Sequence, residues 1–247
     1  MRQHMNFVPD CRLSRRGGRQ TAGSNEIWRL ACLALALLLV TCFPNMAGAA
    51  SGSRIMVFGD SLSAAYGLRE PEGWVNLLSQ RVAPLGMSVV NASVSGETTT
   101  GGLSRIRTDL TRNKPTLVVI ALGANDGLRG LPTADMRKNL QAMIAACQAA
   151  GARVVLVGIQ IPPNYGAAYA RQFQDVYRDL ATQNRLSLVP FLLEGIADNL
   201  DYFQADRLHP TAAAQPRILD NVLPVVLKAA GAPSGGGKGT SARGGQP

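Results

Sequence analysis

A serine, a histidine and an aspartate can together cleave an acyl bond, and this sequence carries each of them in a short polar block. Ser61 lies in Gly59-Asp60-Ser61-Leu62-Ser63, and His209 closes Asp206-Arg207-Leu208-His209. The only other histidine, His4, stands at the start of the chain, so chemistry that needs an imidazole further on has one candidate. A hydroxyl is a poor nucleophile until a neighbouring base takes its proton, and that base must be held in one tautomer by a third group. Asp206 can reach back across a single turn to the imidazole Nδ1. The tetrahedral intermediate then needs donors aimed at its oxyanion. Candidates are the N–H of Ser61, the N–H of Gly96 in Ser95-Gly96-Glu97-Thr98, and the side-chain amide of Asn125 in Gly123-Ala124-Asn125-Asp126. Gly96 would let the backbone approach closely. Singly, each block reads equally well as a turn or a helix cap. Together they answer every requirement of acyl transfer.

Such groups need a scaffold that delivers them to one place. After Arg54 the chain alternates short β-branched runs with amphipathic stretches. The strands expected are 55–58, 88–92, 117–122, 153–159 and 186–190, and the helices 74–85, 102–112, 133–150 (with Thr133 as N-cap), 166–184 and 212–230. Leu117 to Leu122 is too continuously apolar for a half-exposed strand and suits the centre of a parallel sheet covered on both faces. This predicts a three-layer α/β/α domain on a doubly wound, mostly parallel five-stranded sheet, over residues 50–230. In such sheets reactive groups sit in loops at the carboxyl ends of strands, where the polar blocks fall.

In order, the blocks Gly-Asp-Ser-Leu-Ser at 59–63, Gly96, Gly-Ala-Asn-Asp at 123–126 and Asp-x-x-His at 206–209 resemble those of the GDSL or SGNH hydrolases. Val90 to Gly96, Asn125 to Gly130 and Pro163 to Gly166 further resemble the bacterial periplasmic branch of acyl-CoA thioesterases, lysophospholipases and arylesterases. The resemblance implies a flavodoxin-like fold, with Ser61 as nucleophile, Asp206 and His209 as its partners, and Ser61, Gly96 and Asn125 as the oxyanion hole. It implies small-molecule acyl ester or thioester substrates and no cofactor. Many relatives have Gly-Gly-Asn-Asp where this chain has Ala124, whose methyl would narrow the site slightly. Asp60 and Asp126 are alternative acids, better suited to tying their own turns. A carbohydrate acetyl esterase and a non-catalytic acyl or lipid carrier are the competing readings. For substrate contacts the expectation falls on the segment after the fourth strand: Ile159 and Ile161 as apolar wall, and Pro163, Asn164 and Tyr165 as a turn with an aromatic cover.

The remaining features bound the class. Arg12, Arg15, Arg16, Arg19 and Arg29 precede the apolar run Leu30 to Val40, and Ala47-Gly48-Ala49-Ala50 follows. This reads as an export signal, cleaved after Ala49, with a periplasmic destination. The apolar run falls short of the ~20 residues that span a bilayer, so no stable membrane span is expected after cleavage. Weaker likenesses to lipoprotein and twin-arginine signals lie in Leu39 to Cys42 and Arg15-Arg16. The signal holds six of the 25 Lys/Arg and two of the 16 Asp/Glu, so the formal charge of +9 falls to +5 without it. The cations left look scattered, without a basic stripe or interleaved aromatics, which argues against a nucleic-acid partner. Three of the four cysteines, Cys11, Cys32 and Cys42, precede the domain and leave Cys147 alone, so neither a disulfide framework nor a metal cluster is expected. Residues 231–247, rich in Gly and Ser, are expected to be a disordered tail, and the domain to act as a monomer.

Overall fold

The computed structural model describes residues 52–232; the expected signal segment, its three cysteines and the tail from 233 onward lie outside the described residues. The strands are β1 (Arg54–Gly59), β2 (Ser88–Asn91), β3 (Leu117–Ala121), β4 (Arg153–Val157) and β5 (Ser187–Val189). Between and after them come α1 (Trp74–Val82), α2 (Thr99–Asn113), α3 (Ala124–Leu128), α4 (Thr133–Ala149), α5 (Ala167–Asn184) and α6 (Gln215–Ala230). All five strands are parallel, in the order β2-β1-β3-β4-β5. α1 and α6 pack together on one face and α2, α4 and α5 on the other, giving the expected three layers. All of β3 is buried, as its unbroken apolar run required, whereas the edge strand β2 is half-exposed.

The order places a topological switch between β1 and β3, because the chain leaves β1 outward to β2 and returns to the other side for β3. A crevice opens at such a point beyond the carboxyl ends of the two strands. Gly59 pairs with Ala121 there, which sets the Ser61 and Asn125 blocks side by side. A side chain at Gly59 would meet Ser63 Oγ at 2.7 Å and the Ala121 carbonyl at 3.0 Å, so the tight turn that follows β1 requires glycine.

Several boundaries differ from expectation for local reasons. α2 begins at Thr99, three residues early, because Thr98 caps it by accepting from the Gly101 N–H at 3.3 Å. Thr133 is not the cap of α4; Pro132 holds that position, without a side-chain cap, and Thr133 is the first helical residue. Gly123-Ala124-Asn125-Asp126 is no open loop, since its last three residues begin the short helix α3. The turn expected around Asn164 and Tyr165 is a single 3₁₀ turn, Pro163–Tyr165, and a further one at Leu200–Tyr202 was not foreseen.

Candidate active site

Ser61 leaves β1 in a turn fixed from several sides. The Asp60 carbonyl accepts from the N–H groups of Ser63 and Ala64, at 3.1 and 3.0 Å, and Asp60 Oδ1 accepts from the Leu62 N–H at 3.0 Å. The Trp74 indole donates to the Leu62 carbonyl at 3.0 Å, and the Asn91 amide to the Ser63 carbonyl at 2.9 Å. Asp60 is fully buried, with Oδ2 unpartnered among the described residues. Burial, with the nearby carboxylates of Asp126 and Glu97, pushes its carboxyl up to about 7.

His209 arrives from the far end of the sequence. Its Nε2 lies 2.9 Å from Ser61 Oγ, and its Nδ1 lies 2.6 Å from Asp206 Oδ2. Asp206 Oδ1 accepts from the backbone N–H groups of Leu208 and His209, at 2.9 and 3.0 Å. The bond to the imidazole, then these two backbone donors, hold the Asp206 carboxyl down at about 2, so it is ionised at any ordinary pH. Arg207, at φ 56°, makes the tight turn possible by adopting a left-handed conformation that costs a non-glycine residue roughly 1–2 kcal/mol. The turn is anchored to the body of the domain by Gln204. Its N–H donates to the His209 carbonyl at 2.8 Å, and its side-chain amide to the carbonyls of Tyr66 and Pro210 at 2.8 and 3.1 Å. The Tyr66 ring in turn packs against the imidazole, with centroids 4.3 Å apart and planes tilted by 37°.

The three expected oxyanion donors converge on the same crevice. Ser61, Gly96 and Asn125 all line a cleft of about 640 Å³ together with His209. Neither the Ser61 nor the Gly96 N–H meets an acceptor among the described residues. Asn125 Nδ2 donates one proton to the Glu97 carbonyl at 2.9 Å, which orients the amide and leaves its second proton free. Arg129, at the other end of α3, donates to the Gly96 carbonyl at 3.1 Å, so the short helix grips the Gly96–Glu97 segment at two points. Gly96 holds a φ of 79°, a conformation that favours glycine, and a side chain there would meet no atom of the domain within 4 Å. Asp126 accepts from the Thr99 N–H and hydroxyl at 2.8 and 2.6 Å, tying its loop as expected. An imidazole that accepts a hydroxyl proton, a carboxylate that fixes its tautomer and donors that await negative charge are the parts of a nucleophilic acyl-transfer site.

The substrate segment is only partly where the sequence suggested. Ile159 and Ile161 line the cleft, but Asn164 and Tyr165 do not, and the Pro163 side chain lies outside what the structure describes. The 3₁₀ turn carries Tyr165 away, and its hydroxyl donates to the Leu128 carbonyl at 3.1 Å, bracing α3. The opposing wall comes from two stretches that sequence reasoning missed, which supply Phe191, Leu193 and Ala197, then Phe203 and Leu208. Those stretches have no helical or strand periodicity to mark them. Among the described residues no cluster of metal-ligating side chains occurs, and the Cys147 thiol is buried and pushed up to about 12, which makes it inert.

Comparison with known proteins agrees with this geometry. The chain is 48% identical over 197 residues to Esterase TesA of Pseudomonas aeruginosa, covering 79% of this chain and 94% of that protein. It is 40% identical to an arylesterase of Vibrio mimicus over 194 residues, covering 78% of this chain and 97% of that one. Among solved structures, the crystal structure of TesA superposes with a TM-score of 0.69 at 50% identity, covering 72% of this chain and 99% of that one. The psychrotrophic esterase EstA from Pseudoalteromonas sp., inhibited by monoethylphosphonate, gives 0.69 at 42% identity, covering 71% and 97%. The family profile described as GDSL-like lipase/acylhydrolase matches residues 57–216, and with four ordered blocks and this fold the chain belongs to that family.

Proposed function

We propose that the protein is a broad-specificity serine esterase of carboxylic esters and thioesters, working through an acyl-Ser61 intermediate. The observation that carries this reading is the continuous relay from Ser61 Oγ through His209 to Asp206, opening on an apolar-walled cleft. Ser61 Oγ attacks the acyl carbon while His209 Nε2 takes its proton, and Asp206 stabilises the imidazolium through Nδ1–H. The carbonyl oxygen, now negative, is held by the N–H groups of Ser61 and Gly96 and by the Asn125 amide. His209 then hands the proton to the departing alkoxide or thiolate, leaving Ser61 acylated. Water, deprotonated by the same imidazole, attacks the acyl-enzyme and releases the acid. Because the relay never touches the leaving group's body, aryl esters, acyl-CoA and lysophospholipids are all within its chemistry. The names of the relatives support that breadth: the Escherichia coli K12 protein, 36% identical over 193 residues, is called thioesterase 1/protease 1/lysophospholipase L1.

The export reading of residues 1–49 belongs to the same proposal and places the activity in the periplasm. Among the described residues no helix is long and apolar enough to cross a membrane. Turnover of an aryl ester, an acyl-CoA and a lysophospholipid by one purified sample, with and without a serine-reactive phosphonate, tests the function. All three should be hydrolysed and all three should stop together on phosphonylation. Turnover that survives the phosphonate would refute the acyl-Ser61 route.

A further inference from the structure

Cations that look scattered along the sequence converge on one end of the folded domain. β1 begins at Arg54 and β4 at Arg153. Lys114 and Arg185 are the C-caps of α2 and α5, just ahead of β3 and β5. Arg81, Arg112 and Lys228 lie in the last turns of α1, α2 and α6. Since the sheet is wholly parallel, the strands' amino ends and these helices' carboxyl ends share one pole, opposite the cleft. The arrangement is continuous. Arg54 donates to the Asn113 carbonyl at 3.0 Å beside Lys114, Arg153 donates to the Ala230 carbonyl at 3.3 Å, and Arg153 and Arg185 line one shallow groove of about 350 Å³. Arg54, Lys114, Arg153 and Arg185 stand at the four neighbouring strands β1, β3, β4 and β5, so at about 4.8 Å spacing they make a basic row of roughly 14 Å, flanked by the helix-end cations.

All seven side chains are exposed, and none is in an ion pair among the described residues. The carboxylates in the carboxyl-terminal halves of the helices are already engaged, Asp109 by Arg105 and Asp179 by Arg137. Cations at helix carboxyl ends normally answer the macrodipole, but five such ends at about half a charge each offset only some two to three of the seven. Residues 52–232 hold 17 Lys/Arg and 14 Asp/Glu, so setting the seven aside leaves ten cations against fourteen carboxylates, a net of −4. The domain is therefore polarised, with its positive pole turned away from the cleft. Leu85, 52% exposed in the turn after α1, adds one apolar side chain close to Arg81, while among the described residues neither of the exposed aromatic rings, Tyr66 and Tyr165, belongs to this end. Both ends of the described segment also lie here, ahead of Arg54 and after Ala230, and beyond residue 232 the sequence carries two more cations, Lys238 and Arg243.

We propose that this pole docks the domain on an anionic phospholipid surface, leaving the cleft open to water. A bilayer's negative surface potential attracts a flat basic row, and the acidic remainder of the domain sets the orientation by being repelled. A nucleic acid would favour stacking rings between the cations, which the pole lacks. The test uses residues 50–247, a unit whose match spans 99% of a crystallised relative's chain, floated with phosphatidylcholine vesicles with or without phosphatidylglycerol. Binding should require phosphatidylglycerol and weaken as salt rises, because the Debye length shrinks to about 8 Å at physiological ionic strength. Lys114→Gln/Arg153→Gln/Arg185→Gln should lower partitioning by roughly two orders of magnitude, at about fivefold per cation, with turnover of a water-soluble ester unchanged as proof of folding. The control Lys138→Gln/Arg171→Gln/Arg217→Gln removes the same charge from the amino-terminal halves of α4, α5 and α6 and should lose far less. Equal losses in both triples, no binding to phosphatidylglycerol vesicles, or binding of duplex RNA without binding of vesicles would each overturn the proposal.

Discussion

Asn125→Ala should lower kcat by roughly 10²–10³, about 2.7–4 kcal/mol in the barrier, with little change in KM. The magnitude follows from what the amide does. One Nδ2 proton is spent on the Glu97 carbonyl at 2.9 Å, and because Asn125 lines the cleft with Ser61 and His209 the other is left for the oxyanion. In the ground state that second proton meets a neutral carbonyl, and only in the transition state does it meet a full charge. Its loss is therefore felt in kcat. Alanine also deprives the Glu97 carbonyl of its donor, which costs about 1 kcal/mol of stability and loosens the segment that carries the Gly96 N–H. The second donor is weakened with the first, placing the expected loss toward the upper end of the range. Arg129 still holds Gly96 from the other end of α3, so the hole is not abolished. The assay is steady-state hydrolysis of a p-nitrophenyl ester, paired with the rate of phosphonylation of Ser61. Both should fall together, because the phosphonate's tetrahedral oxygen uses the same donors. A rise in KM at unchanged kcat, or a normal phosphonylation rate, would show that Asn125 binds the ground state and that the oxyanion is held elsewhere.

Ser61→Ala and His209→Ala should each leave a folded protein with activity lowered by roughly four or more orders of magnitude, and Asp206→Asn somewhat less; normal turnover by purified Ser61→Ala would end the relay reading. Stability should carry the signature of Asp60, whose carboxyl is raised from 3.8 to about 7 by burial. Its contribution is complete below about pH 4 and is lost as pH rises to about 7, at up to about 1.4 kcal/mol per unit, then levels off. Asp60→Asn should remove this dependence, so melting curves of the two proteins should diverge between pH 4 and 8, and parallel curves would contradict it. Ile161→Ser, in the cleft wall, should reduce kcat/KM on long acyl esters far more than on acetates, at up to ~0.8 kcal/mol for each methylene that loses contact. Tyr165→Ala should affect both substrates alike, by loosening α3; a long-chain loss confined to Tyr165→Ala would return the acyl site to the 3₁₀ turn.

What the sequence determined by itself was local or periodic. Unbroken apolar runs such as Leu117 to Leu122 announced buried parallel strands, and strand–helix alternation announced the layers. Asp206 and His209 are three residues apart, so their hydrogen bond was legible from spacing alone. Residue types in the four blocks identified the chemistry, because few side chains can act as nucleophile, base or oxyanion donor. Tertiary structure decided everything that joins distant segments. Ser61 meets His209 across 148 positions only because the β1 turn and the Gln204-anchored loop are brought together. The second cleft wall, around Phe191 and Phe203, comes from irregular chain whose place is set by the elements on either side, which no periodicity reveals. Tyr165 was misplaced because a turn motif does not say which way the turn faces. The basic pole was invisible for the same reason: its seven cations span Arg54 to Lys228, and only parallel strand order carries every one of them to the same end of the sheet.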